Sequence, residues 1–492
     1  MMCGSATKPR SIHNCRWGRG LCALWGSVAR YFLFDTGAAA VSRYIEGWDR
    51  SRKCLLHSNI LEDYSTHQHI SKMKYSLATI AFAAEAVSAF PFVARQPGVN
   101  VRGLFNRQQS GGANPGGPLT CPYNPPENHV PAPGITDQYP YNGAKDGKQG
   151  NGKGGYLVPA PGDTAHQFIA PGPNDVRGPC PGLNAAANHN FLARDGITIF
   201  NELVDAQQNL YNVGYDLANL LALLGLTLTD GDLMTEKLSI GCDATNRTSY
   251  APALTGSEPG LDGHNKFEAD TSLTRNDYFP GHGDDFSFNG TLFKMMTDTT
   301  GGLYNRDGLA KYRYQRYRQS LQENPNFYFG PLSLLLFGAS SFLYELMPSG
   351  PDYIPDKATI MSFFGTEEDS NGNYVFTGNE KIPDNWTNRV EPYSNADVTA
   401  EIVAQYLEYP VLFGGSTGNG GFDLLNFNNI QNGTLVAAPG PETACLLYQL
   451  ATQSVASYLN GLITPTVKAL SFVASKLEPA LENLGCPQPL TK

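Results

Sequence analysis

The sequence predicts a mainly α protein: a single helical domain preceded by an arm rich in glycine and proline. Three observations predict it. From Gly196 onward, apolar residues recur at mixed three- and four-residue spacings, the period of a helix face. Prolines stand where helices start and stop. Few segments show the period-two alternation of a half-buried strand. The chain has 492 residues, 41% hydrophobic and 16% charged, enough to bury a large core.

The elements follow in chain order. Residues 1–72 carry 10 Lys/Arg against 5 Asp/Glu in a chain whose net charge is −10, and they show no clear amphipathic period. We read them as a doubtful upstream extension. At Met73 begins MKYSLATIAFAAEAVSAFP: Lys74 supplies a basic start, an apolar run follows, and Val87-Ser88-Ala89 fits small-residue cleavage. Residues 73–89 thus read as a secretory signal peptide, with the mature domain at 90–492. The apolar run is too short to span a bilayer, which needs ~20 residues, and no transmembrane segment is expected. Asn246, Asn289, Asn385 and Asn432 each open an Asn-x-Thr glycosylation sequon, which agrees with a secreted, extracellular protein. An acidic chain has no electrostatic reason to bind nucleic acid.

Residues 98–183 are dominated by Gly, Pro and Asn and read as an extended arm with loops. Residues 197–228 fit one or two core helices. Pro331 opens LSLLLFGASSFLYELM and Pro348 ends it, which is sound helix punctuation. Residues 396–407 read as a helix, with Ser394 and Asn395 as N-cap candidates. Residues 442–462 and 466–484 read as two more helices, an antiparallel pair.

Residues 179–196 read PCPGLNAAANHNFLARDG. Cys180 lies between two prolines at the start of a helical stretch. Backbone N–H groups there can face an anion, which favours the thiolate, the metal-binding form of cysteine. By residue chemistry alone, a structural disulfide is the better reading of Cys180. The whole pattern, Pro-Cys-Pro-x-Leu-Asn-x-x-Ala-Asn-His-Asn, resembles the haem-ligand signature of the fungal haem-thiolate peroxidases, the family of chloroperoxidase and the aromatic or unspecific peroxygenases. The resemblance covers most of residues 98–486. It implies a haem b whose iron takes Cys180 as axial ligand, with His189 structural rather than ligating.

Residues 260–277 read GLDGHNKFEADTSLTRND. Read alone, this is a solvated acidic turn or a set of oxygen donors for a hard cation. It resembles the family motif Glu-(Gly/His)-Asp-x-Ser-x-x-Arg. The resemblance implies a structural divalent cation, Mg²⁺, beside a haem propionate, held by the Glu268 carboxylate, the Ala269 carbonyl and the Ser272 hydroxyl. Ala269 departs from the Gly or His of the family. It implies also that Phe267 lines the haem channel.

Glu345 is the one charged residue between Pro331 and Pro348. It is either a helix-end glutamate reaching solvent or a buried acid–base group. The resemblance makes it the catalytic base that shuttles a proton between the two oxygens of H₂O₂. Long members often carry an arginine two turns earlier, where this chain has Gly338. They also have a C-terminal disulfide, which implies Cys445–Cys486. Cys121 and Cys242 are left as a second candidate bridge, with connectivity open.

The implied partners are H₂O₂ and a small apolar or aromatic substrate. The implied reaction passes through the haem intermediate compound I to peroxygenation. Halogenation, one-electron peroxidation, secondary-metabolite tailoring and a catalytically impaired haem-binding glycoprotein are the alternatives.

Overall fold

A computed structural model describes residues 129–436, apart from 229–230, 233–234, 243–247, 249–259, 265–267, 351, 418–419 and 427–428. The upstream extension, the signal peptide, Phe267, Asn246, Cys121, Cys445, Cys486 and the two C-terminal helices expected at 442–484 lie outside the described residues.

Helices carry most of the regular structure among the described residues. They are α1 (Pro181–Asn188), α2 (Phe200–Tyr211), α3 (Tyr215–Leu228), α4 (Gly290–Thr300), α5 (Arg306–Glu323), α6 (Leu335–Glu345), α7 (Lys357–Phe363) and α8 (Asn395–Glu408). The strands have two or three residues each. β1 (Ile197–Ile199) pairs antiparallel with β2 (Lys237–Ser239). β3 (Tyr328–Phe329), β6 (Gly414–Ser416) and β7 (Phe422–Leu424) form a three-stranded sheet. β4 (Thr366–Glu368) pairs with β5 (Tyr374–Phe376), and β8 (Ile430–Gln431) with β9 (Thr434–Leu435). α6 packs on α8 and α5, α2 on α3, and α4 on α5, around one apolar core.

Among the described residues, the expected helices stand where the sequence put them. Pro331 opens a 3₁₀ turn, Pro331–Leu334, which runs into α6. Ser394 caps α8 in a capping box with Asp397. The stretch 197–228 forms two helices, with one correction: its first three residues are strand β1, pulled into extended form by pairing with residues 237–239.

The described part of the arm, 129–180, contains no helix or strand, and part of its backbone, residues 143–150, is held by side chains from elsewhere. The polar face of α2 does this. Asn209 accepts from Gly143 and Ala144 N–H and donates to the Ala144 carbonyl. Asp205 accepts from Gly147, and Gln208 from Gly150. Asn212 ends α2 in the left-handed conformation (φ 55°). Its amide then donates to the carbonyls of Arg389 and Val390 at 3.0 and 2.9 Å, fixing that segment.

Candidate active site

Cys180 is the residue immediately before α1, with Pro181 at the first helical position. It is the free cysteine among the described residues, whereas Cys242 is disulfide-bonded. Its surroundings are rigid. Gly178 and Asn184 exchange hydrogen bonds, N–H to Oδ1 at 3.0 Å and Nδ2 to carbonyl at 2.8 Å. A Cβ on Gly178 would lie 2.1 Å from the Ile240 carbonyl oxygen, so only glycine permits this approach. Burial pushes the Cys180 thiol up. The N–H groups of Leu183 and Gly182 and the Arg275 guanidinium work the other way, toward thiolate.

The rest of that motif is a clamp. Asn184 Nδ2 donates to Glu380 Oε1 at 3.0 Å, and Asn188 Nδ2 to the Glu380 carbonyl at 2.9 Å. His189 Nε2 accepts from Ile382 N–H at 3.2 Å, so its proton sits on Nδ1, which donates to the His166 carbonyl at 3.0 Å. Burial holds this imidazole neutral, its pKa down to about 4. Both ring nitrogens are committed, which agrees with a structural His189. Arg275 is fully buried; its Nε donates to the Pro179 carbonyl at 3.2 Å and its Nη2 lies 3.7 Å from Glu380. Burial raises the Glu380 carboxyl to about 8.

Glu268 is buried, and among the described residues its Oε1 has no hydrogen-bond partner. Its Oε2 is 3.2 Å from His264 Nδ1, which is 3.3 Å from Asp285 Oδ2. One ligand atom from each of these three residues falls within 4.8 Å of the others. Burial, then the Asp285 charge, pushes Glu268 well above the usual carboxylate range. Burial disfavours the His264 imidazolium, but its bonds to Asp285 and Glu268 outweigh that and hold its pKa well up. A buried carboxylate oxygen with no partner fits a cation ligand. Among the described residues, His264 and Asp285 stand closer to that role than the motif alone suggested.

Asp270 does something else. Its carboxylate accepts from Tyr278 N–H, Tyr328 N–H and Asn324 Nδ2 at 3.3, 3.3 and 3.1 Å, which ties the motif to β3. Ser272 gives its carbonyl to Arg316 Nε at 2.8 Å. Phe267 falls outside the described residues.

Glu345 is the last residue of α6, half-buried, and paired with Arg389 through its carboxylate. Burial raises its pKa, while the Arg389 guanidinium favours the carboxylate. The guanidinium sits over the Tyr393 ring at 5.2 Å and the Tyr353 ring at 5.8 Å. Gly338, where the resemblance led us to look for an arginine, faces α8: a Cβ there would lie 3.2 Å from Val398 and 3.3 Å from Ile402.

An aromatic layer joins the two ends of the site. Tyr211 donates its hydroxyl to the Gly182 carbonyl at 2.8 Å, two residues past Cys180. Its ring meets Trp386 and Phe363, each at 6.2 Å between centroids. Trp386 Nε1 donates to the Met347 carbonyl at 2.7 Å, two residues past Glu345.

Of these residues, His264 and Arg275 fall within the acidic stretch, whose motif marks the ligating oxygens but gives these two side chains no role. Glu380 and Arg389 sit in irregular segments and carry no local sequence signal.

The family model "Peroxidase, family 2" matches residues 166–391. The chain is 30% identical over 344 residues to the aromatic peroxidase fscJ of Fusarium equiseti, covering 65% of this chain and 78% of that one. It is 30% identical to the dothistromin biosynthesis peroxidase dotB of Dothistroma septosporum, covering 68% and 83%. An aromatic peroxygenase of Coprinellus radians is 36% identical over 195 residues, covering 38% and 72%.

Proposed function

This chain belongs to the fungal haem-thiolate peroxidase family, and from that premise we propose that it is a secreted peroxygenase using H₂O₂ to oxygenate an apolar or aromatic compound. The family's cofactor is haem; with a thiolate on its iron it supplies cleavage of the peroxide O–O bond.

The chain's own residues do the rest. Cys180 would hold the haem iron through its sulfur, and the Asn184–Glu380–Arg275 cluster keeps the loop that carries it from shifting. Glu345 takes the proton from the proximal oxygen of H₂O₂ and returns it to the departing one. Glu268, with His264 and Asp285 beside it, would hold a divalent cation, for which Mg²⁺ is our choice, with the Ala269 carbonyl and Ser272 hydroxyl as its expected companions. The observation that carries the reading is Glu345: a half-buried carboxylate at the end of an apolar helix, matched to a cation.

The relatives named for aromatic oxidation and for dothistromin biosynthesis favour a tailoring role on an aromatic metabolite. The test is turnover of an aromatic substrate with ¹⁸O-labelled H₂O₂. We expect label in the product, and a loss of roughly 10²–10⁴-fold in Glu345→Gln. Wild-type protein loaded with haem that gives no peroxide-dependent product overturns the reading. Halogenated or coupled products alone replace oxygen transfer with halide or one-electron chemistry.

A further inference from the structure

We infer that Arg389 is the positioning residue of Glu345: reaching α6 from an irregular segment, it holds the Glu345 carboxylate ionised and aimed, a task that α6 cannot perform for itself. The inference rests on the acid–base reading of Glu345 and goes beyond it.

Three observations support it. The first is geometry. Arg389 Nη1 engages both the Glu345 carboxylate and, at 3.2 Å, the Glu345 carbonyl, so one guanidinium fixes the side chain and the helix end together. Tyr353 adds a second bond to that carbonyl, at 2.7 Å.

The second is exclusion. One turn of helix or two before Glu345, a cation on the same face would have to grow from Gly338 or Ser341. Gly338 is pressed against Val398 and Ile402 of α8, and Ser341 is buried with its hydroxyl bonded to Tyr393 at 2.9 Å. The cation therefore comes from elsewhere in the chain.

The third is rigidity. Arg389 is anchored by its backbone carbonyl to Asn212, and its Nε donates to the Glu391 carbonyl at 2.9 Å. The guanidinium is flanked by Tyr393 and Tyr353. A long side chain fixed at base, middle and tip loses little more entropy on forming its ion pair.

The groups facing Glu345 set the sign of its pH response. From α8, Glu401 and Asp397 contribute negative charge and disfavour the carboxylate; burial disfavours it further; Arg389 opposes both. Tyr353 and Tyr393 face the pair as neutral phenols, burial and the nearby carboxylates keeping both protonated. A base must be ionised to accept a proton. Without Arg389, the ionised form is reached only at higher pH.

The test uses haem-loaded, full-length protein and two measurements. One is the rate of cyanide binding to the ferric enzyme against pH, in which the neutral acid must yield its proton to a nearby base. The other is kcat/KM for H₂O₂. Arg389→Gln should move the acid limb of both profiles to higher pH and lower kcat/KM for peroxide by about tenfold or more, with KM for the organic substrate unchanged. Arg389→Lys should recover most of the limb position. Substitution leaves the backbone bonds to Asn212 in place, and a thermal melt beside wild type checks the fold. If Glu345→Gln abolishes the acid limb but Arg389→Gln leaves it where it was, Arg389 is a bystander and the inference is overturned. If Glu345→Gln itself keeps the limb, the acid–base reading fails and takes this one with it.

Discussion

Single residues in the Cys180 motif divide the labour cleanly. The sulfur is the free group that the proposed function gives to the haem, while Asn184, Asn188 and His189 bind one distant segment, residues 380–382. A conspicuous histidine near the expected iron ligand therefore needs no catalytic role. Paired substitutions separate the two kinds of part. Cys180→Ser should remove the thiolate signature from the ferrous–CO spectrum of haem-loaded protein. His189→Ala should keep that signature but destabilise the fold by about 2–4 kcal/mol, because the Ile382 N–H and the His166 carbonyl are left without partners. A denaturant midpoint measures the second effect. A thiolate spectrum that survives in the serine variant, or vanishes in the alanine one with haem still bound, would reverse the assignment.

Elements were legible in the sequence where their buried face is apolar or their ends are punctuated. α6 was visible from Pro331 and its unbroken apolar run, and α8 from Ser394. α5 was not, because its buried face is cationic. Arg313 and Arg316 are about as buried as the tyrosines and leucines beside them. Arg313 donates to the Thr271 carbonyl and hydroxyl; Arg316 donates to the Ser272 carbonyl and pairs with Asp277 at 2.9 Å. The helix thus grips the acidic motif with two buried arginines set among its core residues Leu309, Tyr312 and Tyr317, and no clean hydrophobic period announces it. The two- and three-residue strands are too short to show alternation. Arg389 was illegible for another reason: its partner stands 44 residues away in sequence, and only the fold brings them together. The α5 account predicts a large effect for a conservative-looking change. Arg316→Met keeps the bulk but leaves Asp277 as a buried charge without its cation, and should cost about 3–5 kcal/mol in unfolding free energy. A midpoint within error of wild type would show that the grip contributes nothing.

For the whole molecule, family and helical layout were readable because a long motif marks one segment and helical punctuation marks several others; the role of Cys180 as cofactor ligand stays with the proposal. What also stays a proposal is the protein's destination. A secreted chain would be cut after Ala89 and carry glycans, and the described sequons are unequal candidates for them. Asn385 and Asn432 are exposed, each in a turn with positive φ (59° and 49°). Asn289 is different. Its side-chain oxygen accepts from Thr291 and Leu292 N–H as the N-cap of α4, and its amide nitrogen donates to Asn276 at 2.7 Å. That nitrogen is the atom a glycan would use, and modifying it would disturb the bond to Asn276 in this half-buried spot, while the Oδ1 cap bonds would remain. We therefore expect secreted protein to carry glycans at Asn385 and Asn432 and bare amide at Asn289. Enzymatic deglycosylation in ¹⁸O-water, followed by peptide mass spectrometry, marks each formerly glycosylated asparagine as labelled aspartate, and the same digest reads the N-terminal peptide. Label at Asn289 with none at the two turns would contradict the assignment of surface and cap. An N-terminal peptide upstream of Met73 would show that the amino-terminal residues are retained, against the reading of a signal peptide cleaved at Ala89.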